Sequence, residues 1–221
     1  MAFDTYLKDI RARNNVNQTE MARILNISRT AIKLIENGVT KFPSKKVLSN
    51  IATYLDQPEI DVMAEILFTD IDLSDKKSSE YFVCHYLTHR YLEGWNITAY
   101  PFIFQLSYNY CNLFDAKITK KRETQNIWIV TTFQRELYRI EEVTSRLEAL
   151  GFIGDLVSKL MAVLERFRGV QVLFDYNNKE DRDAYEIFEK LDFNGRNSYR
   201  MTLCLYDVTK DEIVKELRRN I

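Results

Sequence analysis

The chain has 221 residues with 31 basic and 32 acidic side chains, and its 46% apolar and 13% aromatic content is ample for packed cores. Six glycines and three prolines leave no room for a long flexible linker or disordered tail. No apolar run reaches membrane-spanning length, and the opening MAFDTYLKDIRARNN lacks a signal-peptide apolar region, so a two-domain cytoplasmic protein is expected. The net charge of −1 hides an asymmetry. Residues 1–55 hold nine Lys and Arg against four Asp and Glu, which leaves an acidic remainder. Only the first part suits a polyanionic partner.

In chain order, Phe3, Tyr6, Leu7 and Ile10 form one stripe of a first helix over about 3–14. Asn17 is placed to cap a second helix, and Glu20, three residues on, to complete a capping box. Ala22 is small where another helix must approach, and Asn26 sits where a left-handed turn is expected. Ser28 then caps a third helix that turns Ile32 and Ile35 inward with Met21, Leu25 and Ile27. Arg29, Thr30 and Lys33 are left on the outer side. After the turn through Lys41-Phe42-Pro43, Ser44 caps a fourth helix carrying Val47, Leu48, Ile51, Ala52 and Leu55. Pro58 ends it, and Asp61 to Phe68 reads as a fifth.

The stretch QTEMARILNISRTAIKLIENG, Gln18 to Gly38, resembles the Cro/CI-like, or XRE-like, helix-turn-helix family of phage repressors and bacterial regulators. The resemblance runs from about Phe3 to Leu67. It rests on Gln18 and Ala22, the apolar pair Ile32 and Ile35, and the ending Glu36-Asn37-Gly38. It implies base contacts by Arg29, Thr30 and Lys33, and phosphate contacts by Gln18, Ser28, Asn37, Lys41, Lys45 and Lys46. Asn26 stands where glycine is frequent, and Leu34 where a polar base-reading residue is frequent, so fewer side chains are expected to read sequence. A structural or protein-binding role for the motif is the alternative.

The polar segment TDIDLSDKKSS (69–79) is the expected linker between a 1–68 DNA-binding domain and an 80–221 domain of mixed α/β type, making the chain α+β overall. Beyond it the sequence predicts a helix from Glu80 to Glu93 and strands at ITAYPFIF, YNYCNLFDAKI and NIWIVTTF, with a turn at 119–125. A long helical stretch follows over about 134–168, with Leu137, Ile140, Val143, Leu147 and Leu150 as its apolar stripe. VQVLFDY reads as a buried strand, 179–191 as an amphipathic helix and 200–207 as a strand. Thr209 with Glu212 reads as the capping box of a final helix.

This order of elements is similar to the restriction-endonuclease-like PD-(D/E)xK core. That resemblance implies a metal-binding acid at Asp115, but the following strand, Asn126 to Phe133, offers no acid-x-Lys. Asp115-Ala116-Lys117 as a displaced half-motif, with Glu93 upstream, is the catalytic alternative. A fold that has lost its catalytic residues, and serves as a binding or dimerisation platform, is the expectation.

Cys84, His85 and His89 have partial zinc-ligand spacing without further ligands nearby, so neither metal nor cofactor is expected, and Cys84, Cys111 and Cys204 read as free thiols. No Ala-Gly pair, where self-cleaving phage repressors are cut, occurs. The expectation is a non-enzymatic transcription regulator, a repressor of a phage or mobile element. It would bind double-stranded DNA as a homodimer and sense a protein or small-molecule inducer through its second domain. A Mg²⁺-dependent, DNA-targeted nuclease and an antitoxin-like interaction switch are the alternatives.

Overall fold

The computed structural model describes residues 3–69, 71–106, 109–120, 123–132, 169–191 and 200–220. The chain forms two compact units, Met1–Thr88 and His89–Ile221, and is α+β overall. The predicted stripe at 134–168 lies outside the described residues.

The first unit contains α1 (Phe3–Arg13), α2 (Gln18–Ile24), α3 (Arg29–Glu36), α4 (Lys45–Leu55), α5 (Glu59–Leu67) and most of α6 (Ser79–Leu92). Its core is the set the periodicity singles out, except that Ile27 and Leu55 are only half-buried. Phe3, Leu7, Met21, Leu25 and Ile32 are fully buried, with Ile35, Val47, Leu48 and Ile51 close behind. Helix α5 begins directly after Pro58, earlier than the expected Asp61. The reason is that proline suits a helix start, where its missing N–H costs nothing. Asp61 is instead buried. It accepts the Tyr81 hydroxyl at 2.9 Å and the Lys76 ammonium at 2.7 Å, and the His85 imidazole stands 3.9 Å away. One buried carboxylate thus ties α5 to the start of α6, and the two hydrogen bonds offset its desolvation. None of the described residues between α5 and α6 is in helix or strand.

Several helices stop by a common device. Asn26, at φ 52°, follows α2, and the amides of Ile27 and Asn26 bond the Ala22 and Arg23 carbonyls. The same pair of bonds closes α3 at Gly38 and α6 at Gly94. In each case a left-handed residue just past the helix satisfies carbonyls that would otherwise lack partners.

The second unit is built on a six-stranded mixed sheet in the order β1 to β6. The strands β1 (Asn96–Leu106), β2 (Asn109–Lys120) and β3 (Glu123–Thr132) form an antiparallel meander, so strand pairing extends into the expected 119–125 turn. Strands β4 (Gly169–Asp175) and β5 (Arg200–Asp207) then run parallel to β3. Parallel central strands are covered on both faces and read as continuous apolar runs. That is the pattern here: Val172, Leu173 and Phe174 on β4, and Leu203 to Tyr206 on β5, are buried without alternation. Helix α7 (Lys179–Glu189), capped by Asn178, covers one face, with Tyr185 edge-on to Phe174 at 5.5 Å. On the other, the His89 ring lies 5.6 Å from that of Tyr206, and Arg90 pairs with Glu216.

The chain ends differently from expectation. Residues Glu212–Asn220 form strand β6, antiparallel to β5, and not a helix. Asp207 builds the turn that leads into it. Its Oδ1 accepts the Thr209 amide at 3.0 Å, the Thr209 hydroxyl at 2.7 Å and the Lys210 amide at 3.2 Å. Asp211, at φ 55°, then reverses the chain, so Thr209 is held inside a hairpin turn and cannot cap a helix.

Cys84 and Cys204 are both buried. Burial, with the Glu80 carboxylate nearby, pushes the Cys84 thiol well up, away from nucleophilic or metal-binding character. His85 faces Asp61, whereas His89 Nδ1 lies 2.8 Å from Asp211 Oδ1. Among the described residues, no helix is long and apolar enough to cross a membrane.

Candidate nucleic-acid interface

Asn17 is extended, and its side-chain oxygen accepts the amides of Thr19 at 2.9 Å and Glu20 at 3.0 Å; Glu20 returns the contact by accepting the Asn17 amide at 3.0 Å. The capping box therefore forms as its spacing requires. Ser28 caps α3 through Ala31 at 3.1 Å, and Ser44 caps α4 through Val47 at 3.4 Å. Asn50 of α4 donates to the Leu25 carbonyl at 2.8 Å, bracing the turn between the motif helices.

Helix α3 buries Ile32, Ile35 and Glu36 and exposes Arg29, Thr30, Lys33, Leu34 and Asn37. The three expected base readers therefore share one solvent-facing side. Ser28, Lys41, Lys45 and Lys46 are likewise exposed, around the starts of α3 and α4. The Ser28 hydroxyl is an acceptor in its cap and keeps its proton to donate.

The electrostatics of these two helix starts set them apart among the described helices. Helices α1, α2, α5, α6 and α7 each place a carboxylate in the first turn, as the helix dipole favours. Helices α3 and α4 have none and begin instead with Arg29 and with Lys45-Lys46. Cations at the positive end of a helix disfavour the fold locally. The same arrangement concentrates positive potential where backbone amides point outward, which suits phosphate.

Gln18 is half-buried, and its Nε2 donates to Glu36 Oε2 at 2.7 Å. Glu36 also receives Arg11, Nε to Oε1 at 2.5 Å and Nη2 to Oε2 at 3.2 Å, and Arg11 Nη1 reaches the Val16 carbonyl at 3.0 Å. This cluster joins α1, the start of α2 and the end of α3. Sequence reasoning did not anticipate it, although an acid four residues after the inward-facing Ile32 was a usable signal.

Gly38 has φ +72°, and a Cβ there would meet nothing nearer than Asp4 Oδ2 at 4.0 Å. The cost of a side chain at Gly38 is thus conformational alone. Gly38→Ala is expected to lower the stability of the first unit by about 1–2 kcal/mol, read as an earlier thermal transition in far-UV circular dichroism. An unchanged transition would mean the loop relaxes into another turn.

No curated protein and no solved structure matches the chain. Residues 7–61, which run from within α1 through α4 into α5, match the family model described as helix-turn-helix. Residues 7–61 therefore form an XRE-like helix-turn-helix domain, which supports a DNA-binding transcription regulator.

Proposed function

We propose that the chain is a cytoplasmic, non-enzymatic repressor of a phage or mobile element that binds a palindromic operator as a homodimer. The observation that carries the DNA-contacting part is the pair of carboxylate-free, cation-bearing helix starts at α3 and α4, beside the exposed row Arg29, Thr30 and Lys33. Arg29 and Lys33 are suited to guanine edges, and Thr30 to a thymine methyl group. Gln18, Ser28, Asn37, Lys41, Lys45 and Lys46 supply phosphate contacts that fix register without reading sequence. One motif of this size spans a half-site, and two half-sites one helical turn apart supply the affinity and specificity of an operator. The unit beyond Thr88 supplies dimerisation and receives the inducer, a protein or a small molecule.

The test is selection of bound duplexes from a random library by the full-length chain, with and without Mg²⁺. An inverted repeat recovered on intact DNA supports the repressor reading. Cleavage that Asp115→Ala abolishes would move the second unit to a nuclease. Arg29→Ala is expected to cost about 1–3 kcal/mol of operator affinity and to relax preference at one base pair. An equal loss on all sequences would make Arg29 a phosphate contact.

A further inference from the structure

The outward side of α3 carries two rows of side chains spaced four residues apart. Arg29, Lys33 and Asn37 form one, and Thr30 and Leu34 form the other. Leu34 is 44% exposed, although Ile32 and Ile35 on the same helix are buried. The apolar surface continues past the helix end. Val39 is 67% and Phe42 48% exposed, and the Val39 and Thr40 amides fold back onto the Leu34 carbonyl at 3.0 and 3.3 Å. A single exposed leucine is ordinary. Three of the five large exposed hydrophobics among the described residues fall within these nine positions, which marks a contact surface.

Charge identifies the occupant. From Ser28 to Leu55 the only acidic residue is Glu36, which is buried, whereas Arg29, Lys33, Lys41, Lys45 and Lys46 are exposed. A second copy laid on this surface would bring like charges together, while a polyanion is attracted to it. Within the major groove of DNA, the C5 methyl group of thymine is the apolar feature available to an aliphatic side chain.

We propose that Leu34, with Thr30 beside it, is a specificity-determining residue that packs on thymine C5 methyl groups in the operator; this rests on the regulator reading above. Leu34 then replaces hydrogen-bonded readout at its position with methyl readout and does not drop out of recognition. Because the contact is to the methyl group, a 5-methylcytosine at that position restores part of what a cytosine loses.

The experiment takes the operator selected by the full-length chain and exchanges each thymine for uracil, which removes only the methyl. Binding to each duplex is measured for the wild-type chain, Leu34→Ala and Thr30→Ser. At one or two positions the wild type is expected to bind uracil DNA about fourfold more weakly, equivalent to about 0.8 kcal/mol for one methyl-sized group. Leu34→Ala is expected to lose that discrimination at one of them. The uracil comparison on the wild type needs no variant, so a folding defect cannot imitate it.

Equal binding of thymine and uracil DNA at every position overturns the proposal and leaves the regulator reading standing. So does a uracil penalty that Leu34→Ala retains throughout. Weakened self-association of Leu34→Ala in sedimentation, with its uracil response unchanged, assigns the surface to contacts between copies and also overturns it. Failure to select any sequence overturns the regulator reading first, and the methyl contact with it.

Discussion

Glu36→Ala is expected to lower the stability of the first unit by about 3 kcal/mol. Glu36 is 6% exposed and is the shared acceptor for Arg11 and Gln18, which reach it from α1 and from the start of α2. Truncation leaves the Arg11 guanidinium, only 20% exposed, with the Val16 carbonyl as its remaining partner, and the Gln18 amide without its acceptor. The penalty comes from stranded donors more than from lost attraction, because a buried ion pair contributes little net stability over apolar residues of similar volume. Arg11→Met combined with Glu36→Leu is therefore expected to recover most of the loss. The single and double variants should be strongly non-additive. Urea unfolding followed at 222 nm checks this. Trp95 and Trp128 both lie beyond Thr88, so tryptophan fluorescence supplies an internal reference for the second unit. A loss under 1 kcal/mol would mean that apolar packing of Ile32 and Ile35, and not this cluster, fixes α3.

The contrast between this cluster and the helix caps shows what the sequence could reveal. The caps at Asn17, Ser28 and Ser44 and the left-handed turn at Asn26 are decided by residues within four positions of one another, so spacing is sufficient to read them. The exposed row Arg29, Thr30 and Lys33 is legible for a related reason. Once Ile32 and Ile35 face inward, helical periodicity leaves those positions nowhere else to go. Arg11 and Glu36 are 25 residues apart, and no local pattern brings them together. Gln18 shows the consequence. Its position at the head of α2 suggested a phosphate contact, and the structure gives one of its amide hydrogens to Glu36. The second hydrogen keeps the proposed phosphate role chemically available.

The second unit was legible where burial is extreme. The unbroken apolar runs on β4 and β5 identify central parallel strands, because alternation disappears when both faces are covered. The last segment misled for the opposite reason. EIVKELRRN is rich in helix formers, and Thr209-x-x-Glu212 imitates a capping box. What local pattern does not reveal is the free edge of β5, which pairs with it from Arg200↔Asn220 to Asp207↔Glu212. Edge strands tolerate charged residues, and Lys215, Arg218 and Arg219 suit a strand that must not pair further.

Asp207→Ala tests which of two forces makes that segment a strand, and it is expected to cost the second unit about 3 kcal/mol. The side chain is 1% exposed, and its Oδ1 accepts Asn177 Nδ2 at 2.9 Å besides the three donors of the turn. Burial alone raises its carboxyl, but the hydrogen bonds from Thr209, Asn177 and Lys210 outweigh that and hold it below the usual 3.8. A carboxyl lowered on folding contributes stability above its unfolded value and loses it as pH falls through the folded one. The gap between wild type and Asp207→Ala should therefore stay constant from neutrality to about pH 5 and narrow below pH 4. Asp207→Asn, which cannot ionise, should show no such acid-dependent narrowing relative to Asp207→Ala. Tryptophan-detected unfolding across pH reads both effects. If the turn decides the conformation, Asp207→Ala also releases Thr209 to cap a helix, and far-UV ellipticity at 222 nm becomes more negative. If pairing with β5 decides it, the strand survives at reduced stability and the spectrum keeps its shape, because eight paired positions outweigh a helix nucleus that is costly to form.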